Sequence, residues 1–323
     1  MSQWLLTRLQ ESKEQVNPQF AFKGAINWMR ALSLIIEKGA THQTVLQELY
    51  TDVQPRLINT KLDTEVFESI YFAYSNIASL NALTFDVETK YDVCLAAIIS
   101  WHDAITFASR AMIYAFKDSD FSMESNCCIE KIWQESIVIN KLIPYPFNMY
   151  LSTLVKKDAE AELKEYRGLN AFNLDSFISN ETVAHGGLVS YLKGTHAYEQ
   201  WKSEVIIKKS DEFKALNVEN FKKNIAKNLR DPILSEGCVN FLIQAERYRG
   251  KANHRDSLFL SYGESNIESI KTFIEDLLNV STAFLKAASY YCSKRVEEGT
   301  WELFVEDIEE NTCLSVDIDI IKV

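Results

Sequence analysis

Residues 86–116 read DVETKYDVCLAAIISWHDAITFASRAMIYAF. Within this stretch Val93, Leu95, Ile98, Ile99, Ile105, Phe107, Met112, Ile113 and Phe116 spread widely around a helical wheel instead of gathering on one stripe. A helix that is apolar on most sides has to be covered on most sides. The stretch is therefore predicted to be the central, largely buried helix, and the fold class follows from what surrounds it.

N-terminal to it, residues 3–14 suit a short amphipathic helix ended by Pro18, and Phe20 to Lys38 repeats apolar residues near helical spacing with Gly39 as its stop. Thr41 is the expected N-cap of the next turns, which end before Pro55, and Asp63 that of a helix carrying Val66, Ile70 and Ile77. On the other side come a helix over Ile129 to Ile143, a corner at Pro144 and Pro146, and a helix from Met149 to Tyr166. Only 10 Gly and 5 Pro punctuate 323 residues, which disfavours a sandwich or a βαβ array. The reading is mostly α, a multi-helix bundle or bundles.

Between Gly168 and Gly194 the composition turns to Asn, Ser, Gly and Thr, including Gly186 and Gly187. This suggests an N-terminal helical domain over residues 1–167, a linker over 168–200 and a C-terminal domain over 201–323. Beyond the linker, Glu204–Lys208 (EVIIK) and Leu314–Ile321 (LSVDIDII) have strand-like composition and suit a small two-stranded element. Asp211 to Arg230 reads as a lysine-rich helix, and Pro232 as the start of another. Ser265-Asn-Ile-Glu268 fits a capping box before a long apolar-faced helix reaching about Arg295.

The net charge of −11 argues against non-specific coating of DNA, which rests on neutralising many phosphates. The charge is uneven. Residues 201–230 hold 8 basic against 4 acidic side chains, whereas residues 296–323 hold 1 against 9. An acidic tail folded back over basic residues would mask them. The six cysteines lack Cys-x-x-Cys or zinc spacing and read as reduced core thiols, so neither metal nor cofactor is expected. No apolar run reaches membrane length and the N-terminus lacks a signal-peptide core, giving the expectation of a soluble, cytoplasmic protein without a membrane partner.

The densest chemistry lies in residues 239–263, VNFLIQAERYRGKANHRDSLFLSYG, where Arg247, Arg249, Lys251, His254 and Arg255 fall within nine residues. Arg249 and His254 have the form Arg-x4-His, and Arg247 precedes the same histidine as Arg-x6-His. Here the sequence resembles the HEPN superfamily, helical-bundle domains of prokaryotic toxins and antiviral defence proteins, over roughly residues 200–295. The resemblance implies a metal-independent endoribonuclease or RNA-binding protein, with Arg249 and His254 catalytic and Arg247, Lys251, Asn253 and Arg255 on the substrate. It also implies a homodimer, whose two motifs share one cleft, with RNA, a protein partner or an antitoxin bound.

The chemistry is coherent. Histidine exchanges a proton near neutral pH, and an arginine fork holds a phosphate as charge builds on it. The plain alternative is that these cations favour a helix dipole and pair with Glu246, Asp256 or the tail, in a non-catalytic helical interaction or scaffold module. His102, inside the apolar helix, reads as a hydrogen-bonded core histidine, His185 and His196 as loop residues, and Asp317-x-Asp319 as a solvated strand face. The tyrosines and phenylalanines fall at core spacing.

Overall fold

The computed structural model describes Trp4, Leu5, Arg8 and residues 18–117, 129–166, 177–252, 260 and 267–323, with no side-chain description for 18–23, 25, 251, 252 and 267. The larger helices are α1 (Pro18–Ile35), α2 (Gln43–Leu49), α3 (Thr60–Phe85), α4 (Lys90–Phe116), α5 (Ile129–Trp133) and α6 (Lys156–Glu165). They continue as α7 (Glu181–Lys209), α8 (Asp211–Ala215), α9 (Asn224–Ser235), α10 (Phe241–Ala252), α11 (Ile267–Arg295) and α12 (Thr300–Asn311). Among the described residues no strand forms. The one bridge there joins Leu151 to Val239.

As its composition requires, α4 is covered on several sides: α3, α10 and α11 all pack against it, and Ala97, Trp101, Ile105, Ala108, Met112 and Ile113 are buried. Cations tie down both of its ends, one of them its own first residue. Lys90 donates to the Leu83, Thr84 and Val87 carbonyls that close α3, and Arg295 at the end of α11 donates to those of Ala115 and Phe116. A positive side chain on the last carbonyls of a helix satisfies both their hydrogen bonding and the dipole.

Several sequence expectations change here. Gly39 does end the first helical run, in the left-handed region (φ 104°) where a side chain is strained. Asn59, however, is the cap that accepts from Leu62 N, while Asp63 forms a buried ion pair with Arg56 at 2.6 Å. His42, not Thr41, stands at the α2 N-cap position. Residues 149–155 are extended beside residues 234–239, so the helix there begins only at Lys156. Asp211–Arg230 divides into α8 and the start of α9, with Asn217 at positive φ between them, and Pro232 lies inside α9.

The stretch expected as a linker, 168–200, is from Glu181 onward part of the 29-residue α7, which packs on α1. One cluster of buried side chains runs from Ile26 to Ile321, so residues on either side of 168–200 share a core. Gly186 and Gly187 are buried on α7, and His185 and His196 are helical rather than in a loop. The predicted strand Glu204–Lys208 is the end of α7, where Ile207 buries against Phe213 and Phe221 in a small satellite core. Tertiary burial has overridden the β-branched preference.

Leu314–Ile321 shows why alternation alone misled. Leu314, Val316 and Ile318 are half-buried while Ser315, Asp317 and Asp319 are exposed, as in a strand. Yet Leu314–Asp317 is an extended strap lying on helices, followed by a 3-10 turn at Ile318–Ile320, and it is held where Tyr74 Oη donates to Val316 O and Asn81 Nδ2 to Ser315 O. Trp301 Nε1 donates to Ile321 O, and Lys322 pairs with Glu309. These contacts tie the acidic tail to α3 and α12, and none of them involves Arg247 or Arg249; the rest of the Arg247–Arg255 cluster from Asn253 on lies outside the described residues. Of the thiols, Cys94 and Cys292 are buried, but Cys313 is exposed. No helix among the described residues is long and apolar enough to cross a membrane.

Two measurements test this packing. Trp28 on α1 is buried among four aromatic rings, so Trp28→Ala should cost about 3–5 kcal/mol in urea unfolding. Asp276 on α11 is buried, and burial pushes its carboxyl up to about 6, against the pull of Arg30 at 2.7 Å. A raised carboxyl favours the folded state when protonated, a contribution that is full below the ordinary value near 3.8 and lost as pH rises through 6. The stability of the protein relative to Asp276→Asn should therefore fall by up to about 3 kcal/mol between about pH 4 and pH 6. A flat difference across that window would refute it.

Candidate functional site

Tyr248 decides how α10 presents its arginines. It is fully buried, with its ring 4.9 Å from that of Trp28 and 5.4 Å from that of Trp101. Consecutive residues of a helix are about 100° apart, so with Tyr248 facing inward, Arg247 and Arg249 are carried to opposite flanks of the outward face. Between those flanks lie Ile243, Glu246 and Gly250, which with Arg247 line a cavity of about 740 Å³. The opposite walls come from α5 (Glu130, Lys131), α7 (Tyr198, Glu199, Lys202) and the 236–238 turn beside Leu154.

That turn needs its glycine. A Cβ on Gly237 would stand 2.6 Å from Leu154 Cδ1, because the extended 149–155 segment runs against residues 234–239. The bridge between Leu151 and Val239 thus shapes one wall of the cavity.

Arg247 is half-buried and held on three sides. Its Nη1 donates to Thr195 Oγ1 at 3.0 Å, and its guanidinium lies 5.6 Å from the Tyr191 ring and 5.1 Å from that of Tyr198, all on α7. Gly194 lies beside the same guanidinium, where a Cβ would make an ordinary contact 3.7 Å from Nη1. Among the described residues no carboxylate forms an ion pair with Arg247 or Arg249, and the Arg249 Nε is buried without a hydrogen-bond partner.

The nearest carboxylate is otherwise occupied. Glu246 Oε2 lies 3.0 Å from Nε2 of His102 on α4, whose Nδ1 is 3.3 Å from Asp103 Oδ1. The hydrogen bond with His102 holds the Glu246 carboxyl below the usual carboxylate range, against desolvation, with help from the charges of His102, Arg249 and Lys202. Glu199 pairs with Lys202 at 3.4 Å.

The other histidines serve the scaffold. His185 lies 2.6 Å from both Tyr145 Oη and the Tyr166 carbonyl, and burial holds the His196 imidazole below its usual value. Asp317 and Asp319 are exposed, with Asp317 Oδ1 accepting from the Asp319 amide, and they belong to the strap rather than a strand.

Of the residues singled out from sequence, Arg247 is at the cavity and Arg249 on its flank. Asn253, His254 and Arg255 lie outside the described residues, as does the Lys251 side chain and the Ser265–Asn266 part of the expected capping box. The sequence reading missed the partner of His102 and the exposure of Tyr198. A spacing signal did exist for the second: Tyr198 and Trp201 sit at i, i+3 amid the charged residues Glu199, Lys202 and Glu204, a poor setting for core aromatics.

Because Arg247 ties α7 to α10, Arg247→Ala should cost about 1–2 kcal/mol in chemical denaturation. Arg249→Ala, which breaks no ring contact or ion pair seen here, should cost less; the reverse order would refute this assignment.

Comparison of the chain with protein-family models, with curated proteins and with solved structures finds no match in any of the three.

Proposed function

We propose that this chain binds RNA at the cavity face of α10 and cleaves it as a HEPN-like, metal-independent endoribonuclease of the toxin or phage-defence type. The observation that supports this reading most is Arg247: a guanidinium fixed at a cavity by a hydroxyl and two rings, with no ion pair to a carboxylate among the described residues. An arginine has five N–H donors in a planar fork suited to phosphate, and here most of them are unspent.

The roles divide by position. Arg247 anchors the phosphate. Arg249, on the other flank of the same face, stabilises the charge that develops on it. His254, five positions further on, takes or gives the proton as the 2′-oxygen attacks phosphorus and the 5′-oxygen leaves. Lys251, Asn253 and Arg255 supply further substrate contacts, and two copies of the motif facing each other make the active form a homodimer.

A second reading, a non-catalytic helical interaction module, is favoured by one specific feature. Four glutamates, Glu130, Glu199, Glu236 and Glu246, share the cavity walls with the cations.

Incubating purified protein with total RNA and resolving the products on a gel separates the two. Cleavage should persist in EDTA, and His254→Ala should reduce it by about 10²-fold or more, with Arg249→Ala comparable. Intact RNA with the unaltered protein, or equal cleavage by His254→Ala, would overturn the nuclease reading in favour of the interaction module. Sedimentation of the active fraction should show a dimer, and an active monomer would remove the shared-cleft arrangement.

A further inference from the structure

Resting on the RNA reading, we infer that Tyr198 and Trp201 on α7 form a stacking platform for an unpaired base whose phosphate meets Arg247 and Lys202, making single-stranded RNA the substrate class. The platform is visible in the burial pattern. Trp28, Trp101, Trp133 and Trp301 are buried, whereas Trp201 is 58% exposed, as is Trp4 (64%) at the far N-terminus, and Tyr198 beside Trp201 is 41% exposed. Their ring centroids are 5.9 Å apart with planes inclined by 37°. Leu188, Leu192 and His196 of the same helix are buried in the core, whereas Tyr198 and Trp201 keep much of their surface exposed.

Charge stands at the right place beside them. Arg247 lies 5.1 Å from the Tyr198 ring, and Lys202 follows Trp201 directly in the cavity wall. A base on the platform is thus adjacent to a fixed guanidinium. Of the four glutamates lining the cavity, Glu246 is engaged by His102 and Glu199 by Lys202.

Aromatic rings next to cations that track a backbone are how unpaired nucleic acid is held, because every base has a π-face whatever its sequence. A duplex offers no free face. Its bases are stacked on one another, and its readable groups are the 2′-hydroxyls and phosphates of the minor groove.

The test uses the full chain and 2′-O-methyl RNA, which lacks the attacking hydroxyl and stays intact, in a polarisation assay with a labelled single strand of about ten nucleotides and a duplex of the same sequence. The single strand should bind at least tenfold more tightly than the duplex. Trp201→Ala should weaken single-strand binding about tenfold while the melting temperature is unchanged, and Trp201→Phe should retain most of it. Lys202→Ala should weaken binding and flatten the dependence of log affinity on log salt by about 0.7. Equal affinity for the two forms, or full binding by Trp201→Ala, overturns the platform while leaving the RNA reading intact. If neither form binds the unaltered protein, the RNA reading falls, and the platform with it.

Discussion

The stack of Trp28 on Tyr191, 4.3 Å between centroids and 18° between planes, joins α1 to α7, one of the helices that wall the cavity. The same indole reaches Tyr248 on α10, Trp101 on α4 and Phe241 at the start of α10. Four helices from distant parts of the sequence thus meet on one side chain. Offset and edge-on aromatic pairs carry both large buried area and a geometric preference, so they fix helix rotation as well as separation. With Tyr248 locked inward, Arg247 and Arg249 have no freedom to exchange faces. The outward face of α10 is set by a contact on its opposite side.

How far the sequence disclosed this depends on the range of the interaction. Residues 90–116 and 267–295 were legible because their burial is written in a local period, and Gly39 because left-handed backbone has few candidates. The Arg247–Arg255 cluster was legible as a density of charge. What could not be read is any pairing across the chain. His102 and Glu246 are 144 positions apart, and nothing local to either marks the other. Leu314–Ile321 failed for a different reason: alternation reports that a segment has a wet and a dry side, which a strap on helices satisfies as well as a strand does. Glu204–Lys208 failed because burial of one isoleucine in a satellite core outweighed a weak intrinsic preference.

A negative total charge does not preclude the locally cationic surface that the proposed anion-binding face requires. The net charge of −11 is a sum, but charges beyond about 8 Å are largely screened at physiological salt. The strap and α12, which hold much of the acidic excess, are tied to α3 through Tyr74 and Asn81 and to each other through Lys322 and Glu309. None of these ties involves α10. The field at the cavity is set by its own lining, so the balance there between Arg247, Lys202, Lys131 and four glutamates matters more than the total.

Within that lining the decisive arrangement is the one between Glu246 and His102. Arg247 and Glu246 both line the cavity, but as consecutive helix residues their side chains leave α10 about 100° apart. His102, reaching across from the buried α4, takes the carboxylate at 3.0 Å, while Thr195 and the two tyrosine rings hold the arginine on the α7 side. Among the described residues no acid pairs with this half-buried cation, which forgoes the Coulombic stabilisation a closed pair would supply. Two separate restraints, one on the acid and one on the base, are what keep the guanidinium open. An open, pre-oriented guanidinium meets an incoming phosphate without first breaking an ion pair, which lowers the cost of binding at the one place where α7 leaves its aromatic rings uncovered.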